Sequence, residues 1–206
     1  MSAGEFVLYW RKNKINNMAK SFNIITSGTG GQGLITLLQI IAEAALLEGF
    51  DVKTSELHGL SQRGGSVETH IRFGNKVYSP LVSLGSADLI LSLEISEALK
   101  MLFYASPKTV FVINKNLISY PGGFEEKKLI QKIKNFGKGS KYIIPASEIC
   151  QKELGKEVVS GIYLLSYAVH KNLIPLKPKS ILKAVSKVVP EKYLDLNKKA
   201  FELAKK

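Results

Sequence analysis

Apolar positions along this chain repeat with two alternating periods. Phe22-Asn23-Ile24-Ile25-Thr26 is a short apolar run ending at Gly28, and residues 34–47 carry apolar side chains at helical spacing, which predicts strand, turn and helix. Residues 52–55 read as a second strand. From Val67 to Phe73 the alternation is strict. Val67, Thr69, Ile71 and Phe73 share one face and Glu68, His70 and Arg72 the other, as in a strand covered on one side, with His70 exposed. Gly74-Asn75 predicts a turn into a second extended run at residues 76–78, with Pro80 at its end.

Residues 87–93 and 109–113 read as buried strands on either side of a helix over 96–105. Past a Tyr120-Pro121-Gly122-Gly123 turn come a charged helix over 125–136 and a short strand over 141–144. Helices then follow over 146–154, 158–170 and 178–188, with a last one from Pro190. Strands alternating with helices predict an α/β fold: a Rossmann-like three-layer sandwich with a mostly parallel sheet and a hairpin-like antiparallel excursion over residues 72–78.

The chain has 206 residues, 45% of them apolar, enough for one well-filled core. Residues 1–17 precede Met18 and read as an N-terminal appendage, leaving 18–206 as a single domain with a basic helical C-terminal part. The single cysteine, Cys150, excludes an intramolecular disulfide and any iron-sulfur cluster ligated by cysteines of this chain alone. No apolar run reaches about 20 residues, so neither a spanning helix nor a membrane partner is expected, and the expected location is cytoplasmic.

The net charge of +12 raises nucleic acid as a partner. Its distribution argues otherwise. Residues 1–114 hold 10 basic and 9 acidic side chains, and residues 115–206 hold 19 and 8. Every cation of the second half is a lysine, with no interleaved aromatic motif for stacking bases, so a solvated or partner-facing surface is expected in place of nucleic acid.

Gly28-Thr29-Gly30-Gly31-Gln32-Gly33 fits G-x-G-x-x-G between a predicted strand and a predicted helix. Gly28 and Gly30 let backbone N–H groups approach an anion, and Gly33 permits close helix–sheet packing. The same glycines also suit a tight turn or a subunit contact. A dinucleotide site further requires an acidic residue at the end of the second strand, and Glu56, the only candidate, lies 28 residues after Gly28.

Residues 55–66 form the denser constellation. Arg63 offers a rigid fork for phosphate or carboxylate, Ser61 and Gln62 add hydrogen bonds, and Gly64-Gly65 allow close backbone approach. Each has a plainer reading: Arg63 in an interchain ion pair, His58 as a structural histidine, Glu56 as an interface carboxylate. His70 and His170 read as ordinary structural histidines. No histidine or cysteine spacing assembles a metal site, and none builds a nucleophilic triad.

Residues 28–33 followed by a helix and then Glu56-Leu57-His58-Gly59-Leu60-Ser61-Gln62-Arg63-Gly64-Gly65-Ser66-Val67 resemble the gamma-type domain of the 2-oxoacid:ferredoxin oxidoreductases, and within it the indolepyruvate branch. The likeness continues through Ile71-Arg72-Phe73-Gly74, Ser79-Pro80-Leu81-Val82, Ala87-Asp88, Leu93-Glu94, Glu97-Ala98-Leu99 and Asn114. It departs from the family where Lys156 and Ser160 replace two amides.

The resemblance implies a small, non-catalytic subunit in the oxidative decarboxylation of arylpyruvates to aryl-acetyl-CoA. Ferredoxin would be the acceptor and coenzyme A the co-substrate. Thiamine diphosphate, magnesium and iron-sulfur clusters would belong to a larger alpha subunit, and this chain would bind none of them alone. Gly28, Gly30, Gly31, Gln32, Gly33, Glu56, His58, Ser61, Gln62 and Arg63 would touch a phosphate or the partner's active-site wall. A gamma-type subunit acting on pyruvate or another 2-oxoacid, and a free-standing nucleotide-binding module, are the alternatives. Homodimerisation in isolation stays open.

Overall fold

The computed structural model describes residues 21–59, 64–118, 123 and 125–205. These residues build a six-stranded sheet from β1 (Phe22–Thr29), β2 (Asp51–His58), β3 (Ser66–Gly74), β4 (Ala87–Ser92), β5 (Ala105–Asn114) and β6 (Lys141–Ile144), ordered β2-β3-β1-β4-β5-β6. β1 pairs parallel with β4, β4 with β5 and β5 with β6, whereas β3 runs antiparallel to both β1 and β2. Five strands therefore share one direction. β3 alone opposes them.

Helices cover both faces. One core joins Ile24, Ile71, Leu89, Leu91 and Val112 of the sheet to α1 (Leu34–Leu47), α4 (Ala146–Leu154), α5 (Ser160–His170), α6 (Pro178–Val188) and α7 (Glu191–Leu203). The other joins Ile25, Ile90, Phe111 and Ile113 to α2 (Ile95–Lys100), the 3₁₀ turn Met101–Tyr104 and α3 (Glu126–Asn135). Neighbouring residues such as Ile24 and Ile25 serve opposite cores because strand side chains alternate in direction. The result is the expected three-layer α/β sandwich with a mostly parallel sheet.

The antiparallel hairpin is not where Gly74-Asn75 suggested. It joins β2 to β3 through residues 59–65, and residues 76–78 form no strand. The physical reason lies in β3. Its two hydrogen-bonding edges are taken by β1 and β2, leaving none for a third partner. Residues 76–86 instead fold over its end. Asp51 accepts the Val77 N–H at 2.8 Å, and Arg72 donates to the Ser79 and Leu81 carbonyls at 3.0 and 3.2 Å. β2, at the sheet edge, keeps Lys53 and Glu56 in solvent, which blunts an otherwise open edge.

This covering also corrects the expectation for His70, which is 1% exposed. The Val82 N–H donates to His70 Nδ1 at 3.0 Å, so the ring proton sits on Nε2 and is donated to Glu68 at 3.2 Å. Tyr104 meets the ring edge-on at 5.0 Å and donates its hydroxyl proton to the same Glu68 oxygen at 2.9 Å.

Candidate functional site

Because β1, β2, β4, β5 and β6 run the same way, their carboxyl ends lie along one edge of the sheet. From β1 the chain turns to β2 and β3 on one side and afterwards to β4 on the other. That makes the carboxyl end of β1 the switch point where open α/β sheets bind ligands. The glycine loop stands there. Gly31 (φ 98°) and Gly33 (φ 79°) occupy left-handed conformations that other residues adopt at a cost. Gln32 closes the loop on itself: its Oε1 accepts the Thr29 N–H at 2.9 Å, and its own N–H donates to the Thr29 carbonyl at 3.2 Å. No side chain caps α1, so the N–H groups of its first turn remain open to an anion.

The β2–β3 connection leans on this loop. The Gly30 N–H donates to the Gly65 carbonyl at 2.9 Å, and the Gly59 N–H to the Ser66 carbonyl at 3.0 Å. Between them lies a cleft of about 580 Å³ lined by Thr29, Gly30, Gly31, Gly33, His58 and Val67, among others. Of the residues singled out by sequence, Gly30, Gly31, Gly33 and His58 thus meet at one place. Gly28 sits in β1 opposite Val67, beneath the loop. Ser61, Gln62 and Arg63 lie outside the described residues.

Glu56 does not line the cleft. It is exposed on β2 and reaches His58 at 3.4 Å, and β3 separates its strand from β1. A dinucleotide fold places the acidic residue on the strand beside β1, so the ribose-clamp geometry is missing.

Sequence reasoning did not single out the buried carboxylates of this edge. Glu94 (1% exposed) accepts the Glu97 N–H at 2.7 Å at the start of α2 and the Ile118 N–H at 3.3 Å. Glu97 (4% exposed) accepts the Ser66 hydroxyl at 2.5 Å and a Lys100 proton at 2.6 Å. Glu97 therefore ties α2 to the strand start that follows the β2–β3 connection. The signal was present in the Glu94-x-x-Glu97 spacing, a capping-box pattern in which a carboxylate replaces the usual hydroxyl. Buried hydroxyl pairs, Thr26 with Thr69 at 2.7 Å and Ser27 with Ser92 at 2.8 Å, hold the strand ends in register behind it.

The sequence profile of the family described as pyruvate ferredoxin/flavodoxin oxidoreductase matches residues 23–206. The chain belongs to that family. Indolepyruvate oxidoreductase subunit IorB of Thermococcus kodakarensis is 35% identical over 197 residues, covering 91% of this chain and 96% of that one. Its counterpart in Archaeoglobus fulgidus is 34% identical over 187 residues, covering 88% and 92%. Among solved structures, the gamma subunit of a keto/oxoacid ferredoxin oxidoreductase from Geobacter sulfurreducens superposes with a TM-score of 0.67 at 25% identity, covering 89% of this chain and 96% of that one. The 2-oxoglutarate:ferredoxin oxidoreductase of Magnetococcus marinus shares the fold at a TM-score of 0.70 and 24% identity. It covers 91% of this chain and 31% of its own, so there the fold is one part of a longer polypeptide.

The chain has one cysteine and three histidines. Among the described residues no three His, Cys, Asp or Glu side chains gather to hold a metal ion, and no helix is long and apolar enough to cross a membrane. Cys150 is buried in the core, which pushes its thiol up to about 11 and keeps it protonated at neutral pH.

The Glu68–His70–Tyr104 cluster carries the clearest titration signature. The His70 hydrogen bond, assisted by Tyr104, holds the Glu68 carboxyl below its ordinary value against the opposing effect of burial. Burial, then the Glu68 hydrogen bond, pushes Tyr104 up to about 12. The two signs differ. The stability from Glu68 is complete above the ordinary carboxylate range and is lost as pH falls through its lowered value. That from Tyr104 is complete below about 10 and is lost as pH rises toward 12. Urea unfolding across pH should show both limbs. Tyr104→Phe should flatten the alkaline one, and an unchanged alkaline limb in that variant would refute this assignment.

Proposed function

We propose that this chain is the small, non-catalytic subunit of an arylpyruvate-type 2-oxoacid:ferredoxin oxidoreductase, with indolepyruvate as the representative substrate. In that reaction the 2-oxoacid loses carbon dioxide, its acyl group passes to the thiol of coenzyme A, and two electrons reduce ferredoxin. The observation that carries the reading is the distribution of identity. Four archaeal indolepyruvate oxidoreductase subunits are 33–35% identical over most of the chain. The pyruvate-type relatives matched over comparable lengths reach 26% and 24%.

In this reading the cofactor chemistry falls to another subunit. Thiamine diphosphate with magnesium, and iron-sulfur clusters, need acidic ligands and several thiolates, which the described residues do not assemble. These groups are assigned to a larger partner, with ferredoxin as the electron acceptor. The glycine cleft does fit a phosphate, such as those of coenzyme A. Gly31 leaves room for an anion, since a Cβ there would meet nothing within 4 Å, and the uncapped start of α1 supplies N–H groups and a favourable dipole. Gly30, Gly31 and Gly33 would hold the phosphate, with His58 lining the same cleft. Their contribution is placement of charge, and the bond-making steps belong to the cofactors.

Co-expression with a candidate large subunit tests the reading. The expected result is coenzyme A-dependent ferredoxin reduction by indolepyruvate or phenylpyruvate in the complex, none by either chain alone, and a lower kcat/KM for pyruvate. A complex that prefers pyruvate would overturn the arylpyruvate assignment. Full activity of the large subunit alone would overturn the role of this chain.

A further inference from the structure

A second cleft, of about 560 Å³, lies on the other side of the first turn of α1 from the glycine cleft, and Gly33 borders both. Its walls are Leu37 of α1, Val158 and Val159 of the 3₁₀ turn Glu157–Val159, Ile162 of α5 and Leu196 of α7. These apolar walls carry little polar surface. The size falls in the range of small-molecule sites, about 300–1,000 Å³.

The polar groups at this cleft are few, and none of those lining it is acidic. Lys156 stands on its rim, and among the described residues no carboxylate pairs with it. Tyr193 also lines the cleft, and the neighbouring Lys192, which does not line it, lies over the Tyr193 ring at 4.7 Å from the centroid. Gln32, Thr36 and Asn197 add neutral hydrogen-bonding groups. Glu157, next to Lys156, is exposed and does not line the cleft. Apolar walls with a cationic rim and no lining carboxylate match one ligand chemistry: an apolar body ending in a single negative charge.

We propose that this cleft binds a small organic carboxylate with an apolar body, which buries its hydrocarbon against Leu37, Val159, Ile162 and Leu196 and sets its carboxylate against Lys156. The site is separate from the glycine cleft and does not depend on the oxidoreductase assignment. Both a 2-oxoacid and the carboxylic acid released when water cleaves the corresponding acyl thioester have this chemistry, and the two can be compared as probes.

The full chain, free of partner, is titrated with phenylpyruvate, phenylacetate and the neutral phenylacetamide, and binding is followed by calorimetry and by the methyl resonances of Val159, Ile162 and Leu196. The expected result is saturable binding of the acids centred on those methyls, at least tenfold tighter than the amide and weakened by salt. Stronger binding of phenylpyruvate would mark a site for the 2-oxoacid, and stronger binding of phenylacetate a site for the acid formed by hydrolysis of its acyl thioester. Lys156→Gln should weaken the acids about tenfold, or about 1.4 kcal/mol, and leave the amide unchanged. Val158→Glu, which sets a like charge at the mouth, should weaken them further. Both positions are exposed, so circular dichroism should match the parent. Equal affinity for acid and amide, indifference to Lys156→Gln, or resonance changes confined to Gly31 and His58 would each overturn the proposal.

Discussion

Replacing His70 with alanine is expected to lower the unfolding free energy by about 3 kcal/mol, the range of a buried large-to-small change that also strands a polar partner. Three losses add up at this position. The ring is almost fully buried, so a cavity forms beside Tyr104. The Val82 N–H loses its acceptor, and Glu68 loses the donor that holds its carboxyl ionised. Because Val82 belongs to the segment that folds over β3, the effect should be local as well as global. Hydrogen exchange at the Val82 amide should accelerate more than at Ile90 in the sheet centre. A urea midpoint within experimental error of the parent, with unchanged exchange at Val82, would show that the cluster contributes nothing.

The second large effect is expected at Gly28. A Cβ there would lie 2.4 Å from Gln32 Oε1 and 3.2 Å from both Leu34 Cδ1 and Leu93 Cβ. Valine at this position must push the Gln32 amide off the Thr29 N–H, and the loop then loses the hydrogen bond that closes it. The overpacking itself costs about 1–3 kcal/mol. In the reconstituted complex, Gly28→Val should lower ferredoxin reduction at least tenfold. Gly31→Ala is the informative comparison. Its added Cβ meets no protein atom within 4 Å, so the fold bears only the left-handed backbone penalty of about 1–2 kcal/mol, and the unfolding free energy should fall less than in Gly28→Val. Equal losses of stability at the two positions would mean that the Gln32 closure contributes nothing to the loop.

Much of the fold could be read from pattern alone, for a local reason. The strand at 141–144 and the helices at 146–154 and 178–188 appear at the expected residues because their periodicity and their Pro and Gly boundaries are encoded within a few neighbouring positions. The strand pairing was not readable in the same way. Gly74-Asn75 is a sound hairpin signal, yet the hairpin formed one connection earlier, because β3 had already spent both its edges on β1 and β2. Which strand lies beside which is decided by contacts between residues far apart in sequence, about which a local motif carries no information.

The site divides along the same line. Gly28–Gly33 as a loop between strand and helix follows from short-range sequence, and so does the absence of cysteines for a cluster of this chain's own. The burial of His70, the inward turn of Glu94 and Glu97, and the separation of Glu56 from β1 do not. Sequence by itself determined the alternation of strands and helices, the glycine turn and the lysine-rich second half, because each is a property of neighbouring residues. Only the tertiary structure decided that β3 runs against its neighbours, that residues 76–86 close over it, and that two clefts with different linings meet at Gly33 at the start of α1. Those outcomes depend on which distant groups satisfy one another's hydrogen bonds and exclude water together.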